Sequence, residues 1–128
     1  MLKKREQKMF FNRNIIKSAQ ENSYFRKELN TTPLSQIVLM ALQPGEEIGQ
    51  ETHNGDQILF FVQGEGEAIL NEEKSLVTVS SLVVVPAGTV HNFINTGSGS
   101  LKLFTVYTPP QHKPGTIVVS KKDLVRDY

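Results

Sequence analysis

Glu51, His53, Gln57 and His91 are the residues of this chain whose types and spacing could do chemistry together. Two imidazoles, a carboxylate and an amide oxygen can surround one metal ion. Side chains alternate between the faces of a strand, so Glu51 and His53 share a face. Asn54-Gly55-Asp56 then reads as a tight turn, with Gly55 free to take a positive φ. A three-residue loop there pairs His53 with Gln57 and points both the same way. A two-residue Asn54-Gly55 turn instead sets Gln57 opposite Thr52 and points it outward. His91 follows another turn, Pro86-Ala87-Gly88, and opens a later strand pair.

The donor set constrains the chemistry. Two imidazoles and one carboxylate resemble the open set used by non-haem iron, and manganese, nickel and zinc also tolerate it. With a single carboxylate, a divalent ion keeps net positive charge, which suits it to an anionic or enolate-like group and to Lewis-acid work. Open coordination positions suit catalysis better than a closed structural site. The chain has no Cys, which excludes disulfides, thiolate zinc sites and cysteine nucleophiles. No Ser-His-Asp order or dinucleotide glycine pattern competes. Gly64-Glu65-Gly66 is no phosphate cradle, because no helix follows it.

These side chains must be carried by strands. Short β-rich runs separated by turn residues predict a sandwich or barrel. Ser35–Leu42 is the first strong strand. Gln57–Gln63 and Gly66–Asn71 read as a hairpin through Gly64-Glu65-Gly66, and Asn71-Glu72-Glu73-Lys74 turns into Leu76–Val79. Leu82–Val85 is wholly apolar and predicts a strand buried on both faces. His91–Ile94 turns at Asn95-Thr96-Gly97-Ser98-Gly99 into Leu101–Tyr107, and Pro109-Pro110 ends that strand. Toward the N-terminus, Asn14–Lys17 and Tyr24–Leu29 read as added strands, with a short helix over Gln20–Leu29 as the alternative. Thr116–Val119 reads as a strand, and Ser120 as the cap of a brief helix through Asp123 and Leu124.

The chain is identified by these motifs as a member of the cupin superfamily, resembling a small RmlC-like single-domain cupin over roughly residues 34–108. The first cupin motif places a Gly ahead of His-x-His, then a Glu and a second Gly. Gly45, His53 and Gly64 fall in register with it, while Glu51 stands at the first His and Gln57 at the Glu. The second motif runs Gly, Pro-x-Gly, His, Asn. Pro86, Gly88, His91 and Asn95 match it, and Ser80 replaces the opening Gly. The resemblance implies an all-β double-stranded β-helix, a jelly-roll barrel, here with extra N-terminal strands and a short C-terminal helix. One domain would span 1–128, with an N-terminal arm over 1–33, the core barrel over 34–108 and an extension over 109–128. It implies one divalent ion (iron, manganese, nickel or zinc) and a homodimer, built through added N-terminal strands that residues 10–30 could provide.

Function is bounded further by composition. At 128 residues the chain can bury a core. A formal charge of +1 gives no electrostatic case for nucleic acid. The cluster Lys3, Lys4, Arg5 and Lys8 reads as a solvated start, and the beginning of the chain lacks the apolar stretch of a signal peptide. No run is long enough for a transmembrane helix, so a cytoplasmic location is expected. Asn95 and Gly88 read as turn and strand-end residues. Phe61 shares the parity of Gln57, and Phe93 that of His91, so both could line a pocket, although packing is the expected role. Val38, Met40 and Leu42 are the expected wall, with Ile37, Leu39 and Ala41 as the opposite parity. His112 reads as an exposed loop histidine; the alternative is a lid on which His112 or Tyr107 donates a proton. The strands offer few polar residues, which favours an apolar or planar small molecule over a sugar. The expected function is that of a metal-dependent enzyme, dioxygenase-like or a sugar or oxo-acid isomerase or lyase. The alternatives are a non-catalytic metabolite- or sugar-binding barrel and a metal-free barrel kept for dimerisation.

Overall fold

The structure, a computed structural model, describes residues 10–124. The Lys3–Lys8 cluster lies outside the described residues. Among the described residues one helix, α1 (Ile15–Glu21), precedes nine strands: β1 (Arg26–Thr31), β2 (Gln36–Leu42), β3 (Asp56–Gln63), β4 (Gly66–Leu70), β5 (Glu73–Val77), β6 (Leu82–Val85), β7 (His91–Asn95), β8 (Leu101–Thr108) and β9 (Ile117–Val118). A 3-10 turn at Lys121–Asp123 follows. The strands form two antiparallel sheets, ordered β6-β3-β8-β2-β1-β9 and β5-β4-β7. The segment between β2 and β3 extends the second sheet through bridges Glu47 to Ile94 and Glu51 to His91. The expected double-stranded β-helix is therefore present.

Alternation builds the core. Val38, Met40 and Leu42 of β2, Leu59 and Phe61 of β3, Phe93 of β7 and Leu101 and Leu103 of β8 are buried between the sheets. A side chain buried in this way stabilises by about 1.5–3 kcal/mol. Leu39 points the other way, as opposite parity requires, and packs outside the sheet with Ala19 and Val62. That outer cluster is closed by α1. The Asn14 side chain accepts from Lys17 N at 3.1 Å and starts the helix. Asn22 ends it, accepting from Tyr24 N at 3.1 Å and donating to Tyr24 O at 2.8 Å.

Four expectations need correction. Gln57–Gln63 and Gly66–Asn71 are not a hairpin: β3 pairs with β6 and β8, whereas β4 pairs with β5 and β7. The chain changes sheets at Gly64, whose φ is +89° and where a Cβ would meet Ser100 O at 2.5 Å. The strand Leu82–Val85 is not buried on both faces, because β6 lies at a sheet edge and leaves Leu82 60% and Val84 51% exposed. Asn14–Lys17 is the start of a helix, not a strand, and Gln20–Leu29 is not a helix. Finally, Gly55 has no positive φ. It is needed for space, since a Cβ there would sit 2.2 Å from Thr108 O.

β1 is paired within its own chain, to β2 along its length and to β9 at Arg26 and Lys27. Residues 10–30 therefore cover and extend their own sheet. Among the described residues no helix is long and apolar enough to cross a membrane.

Candidate metal centre

Two backbone ladders bring the candidate ligands together. Glu51 and His91 are an antiparallel pair, each N–H donating to the other's carbonyl at 2.9 Å. Gly88 N donates to His53 O at 2.9 Å, which ties the second turn to the first motif. Asp56 adds a brace by accepting from Ala87 N at 2.9 Å. Glu51, His53 and His91 consequently offer one ligand atom each, all within 4.8 Å of one another. Glu51 Oε1 stands 3.2 Å from His53 Nε2 and 3.8 Å from His91 Nε2.

Neither turn considered for Gln57 forms, because Glu51 pairs with β7 of the other sheet. Gln57 lies opposite Tyr107 and Val85 and is 2% exposed. Its Nε2 donates to Thr105 Oγ1 at 3.1 Å, and Thr105 Oγ1 donates to Ile58 O at 2.9 Å. That relay commits the nitrogen end of the amide and leaves Oε1 buried without a partner.

The fit to a metal rests on such orphaned atoms. His53 Nε2, His91 Nε2 and Gln57 Oε1 are buried with no hydrogen-bond partner. Leaving buried polar atoms unpaired costs about 1–3 kcal/mol each. His91 Nδ1 stands 2.8 Å from Thr89 O, so it carries the proton and leaves Nε2 as a lone-pair donor. Burial pushes the Glu51 carboxyl up, but the neighbouring His53, Arg26 and His91 more than offset this and hold it below its ordinary value. A carboxylate beside two imidazoles is a donor set a divalent ion accepts.

Around the cluster, ring centroids run from His91 to His53 at 5.1 Å, His53 to Tyr107 at 5.6 Å and Tyr107 to His112 at 5.2 Å. His112 is not the exposed loop residue expected. It is partly buried, and its backbone N donates to Gln36 Oε1 at 2.9 Å while its carbonyl accepts from Gln36 Nε2 at 2.6 Å. Gln36, fully buried, thereby clamps the segment after β8. Burial lowers the His112 pKa to about 4 and raises that of Tyr107 above its ordinary value. At neutral pH the imidazole stays neutral and the phenol protonated, so the pair supplies hydrogen bonds rather than mobile protons. Phe61 and Phe93 are fully buried and pack on each other at 5.9 Å, as core residues do.

A cavity of about 540 Å³ opens beside the cluster, lined by Arg26, Glu51, His53, Gln111, His112 and Lys121 among others. Ile48 and Leu124 add apolar surface, but charged and polar side chains make up much of this wall, which weakens the expectation of an apolar small molecule. Alternation in the barrel strands gave no sign of this wall, because Arg26 and Lys121 come from outside the core barrel. Arg26 was missed altogether; its signal was its place at the start of a run, Arg26–Thr31, with strand character.

Comparison with known proteins agrees with this architecture. A family model described as Cupin domain matches residues 38–107. The uncharacterized protein YrkC of Bacillus subtilis is 42% identical over 119 residues, covering 88% of this chain. This chain spans 64% of the length of YrkC. The crystal structure of BH2720 from Bacillus halodurans is 35% identical with a TM-score of 0.87, covering 91% of this chain and 93% of that one. An RmlC-like cupin family protein with a double-stranded β-helix fold from Methanocaldococcus jannaschii is 21% identical with a TM-score of 0.65, covering 80% of this chain and 91% of that one, and is similar in fold.

Proposed function

The chain belongs to the cupin family, and from that premise we propose that it is a metal-dependent enzyme acting on a small molecule held in the cavity beside His53. Glu51, His53 and His91 would hold one divalent ion, with Gln57 Oε1 completing the set. The observation that carries this reading is the convergence of orphaned, buried His53 Nε2 and His91 Nε2 on the Glu51 carboxylate. A bound divalent ion would supply Lewis-acid stabilisation of negative charge developing on a substrate oxygen. The chain's own residues do the rest. Thr105 fixes the Gln57 amide, Thr89 fixes the His91 ring, and His112 lines the cavity with its Nε2 3.4 Å from the hydroxyl of the buried Tyr107. The reaction classes compatible with this arrangement are oxygen chemistry on a bound organic anion and isomerisation or elimination beside a carbonyl. Absence of Cys fits a cytoplasmic setting.

A homodimer is part of the proposal. The exposed apolar residues Leu82 and Val84 of β6 support it, since β1 is already paired within its own chain. Light scattering of the wild type beside Leu82→Asp/Val84→Asp checks this, a monomer being expected only for the variant.

The test of the metal reading is elemental analysis of purified wild type and of His53→Ala/His91→Ala after reloading with iron, manganese, nickel or zinc. About one metal per chain in the wild type and none in the variant is the expected result. No retention of any of these ions by the wild type would overturn the reading.

A further inference from the structure

We propose that Arg26 is the carboxylate-binding residue of this cavity, and that the site takes a small carboxylic acid with a second oxygen able to reach the metal. The proposal rests on the metal reading above and adds to it the class of substrate.

Arg26 opens β1 opposite Met40, on the inner face of the sheet, and is only 6% exposed. Its Nε is buried without a partner, and among the described residues no carboxylate lies within ion-pair distance of its guanidinium. An arginine does not shed its proton in a protein, so the positive charge stays. A buried charge without a counter-ion is strongly unfavourable, and a chain that keeps one at a cavity wall leaves a place for an anion.

The second cation of the cavity shows what a satisfied one looks like. Lys121 Nζ donates to Glu47 O at 2.6 Å and Ile48 O at 2.9 Å. Both cations lie 5.4 Å from the centroid of the Phe25 ring, which is 1% exposed. Phe25 thus fixes the guanidinium without neutralising it. With Lys121 committed to carbonyls, the remaining lysine or arginine charge of the cavity is one planar fork. That fork matches the two oxygens of a carboxylate in bidentate fashion. Glu51 is the carboxylate in that cavity wall, and it is engaged with the two imidazoles.

The experiment is calorimetric titration of metal-loaded wild type, Arg26→Met and Arg26→Lys with pyruvate and malonate, with their methyl esters, and with inorganic phosphate. Metal content is measured on the same samples. The wild type is expected to bind at least one of the acids and to bind its ester at least about tenfold more weakly. Arg26→Met, which keeps the packing of the stem, is expected to lose roughly 10- to 100-fold in acid affinity with metal content and ester binding unchanged. Arg26→Lys should fall between the two, having charge without the fork. If Arg26→Met does not fold, Arg26→Lys carries the test, and acid affinity equal to wild type in it overturns the bidentate assignment. Equal acid binding in wild type and Arg26→Met with metal retained, esters matching acids, phosphate binding more tightly than either acid, or no binding of the acids would each overturn the proposal. A wild type that holds no metal but loses acid binding in Arg26→Met would sink the metal reading and uphold the role of Arg26.

Discussion

His91 and Asn95 stand at the two ends of β7, on the same face, each 1% exposed. Their surroundings are opposite. Asn95 Nδ2 donates to Leu42 O and Gly99 O, both at 2.9 Å, and its Oδ1 accepts from Gly97 N at 2.9 Å. His91 has only Nδ1 engaged, with Thr89 O, and Nε2 has nothing. One end of the strand uses a buried polar side chain to close a corner of the barrel. The other holds a buried polar atom toward two further donors. Equal burial therefore says little about role, whereas satisfaction of the polar atoms separates a structural residue from a site residue.

That contrast can be broken by substitution. Asn95→Leu should destabilise the protein by about 3 kcal/mol, since it strands two carbonyls and one N–H at a closed corner. Urea unfolding of the metal-free protein measures it. His91→Leu, measured the same way, should cost about 1 kcal/mol or less, because one neutral hydrogen bond is lost while an orphaned atom disappears. Equal losses in the two variants would end the distinction. The order reverses for metal, with binding abolished in His91→Leu and kept in Asn95→Leu.

Smaller effects sharpen the account at the site. Thr105→Val removes the acceptor that holds the Gln57 amide, and metal affinity should fall roughly tenfold by competition with a chelating dye. No change would place Gln57 outside the ligand set. The smallest expected effect concerns acid. With the His112 pKa lowered to about 4 by burial, the unfolded chain binds a proton there before the folded protein does. Stability from this group is complete above about pH 6.5, the unfolded value, and is lost as pH falls toward 4. His112→Gln should flatten the melting temperature across that window, and an unchanged slope would count against the buried neutral imidazole.

Much of this was legible in the residues, and the reason is local geometry. Parity alone aligned Gln57 with Phe61 and His91 with Phe93, and all four are buried. The motifs brought Glu51, His53 and His91 into one frame before any pairing was known. What failed was non-local. Gly64-Glu65-Gly66 between two strands has the pattern of a hairpin, and only pairing with distant strands assigns β3 and β4 to different sheets. The apolar run Leu82–Val85 carries no alternation, so an exposed edge looked like a buried strand. The helix at Ile15–Glu21 did have a local signal, the Asn14 cap, which the short apolar pair Ile15-Ile16 obscured. Gln36 had none, and Arg26 only its place at the start of a strand-like run, since each gains its role from a segment far along the chain: residues 111–112 for Gln36, and the cavity wall for Arg26.

The most direct test of the central claim is an anomalous difference map from crystals of metal-loaded protein. The account predicts one strong peak roughly 2.0–2.2 Å from His53 Nε2, His91 Nε2, a Glu51 carboxylate oxygen and Gln57 Oε1. A loaded crystal with no peak there, or with its peak on other residues, would contradict it.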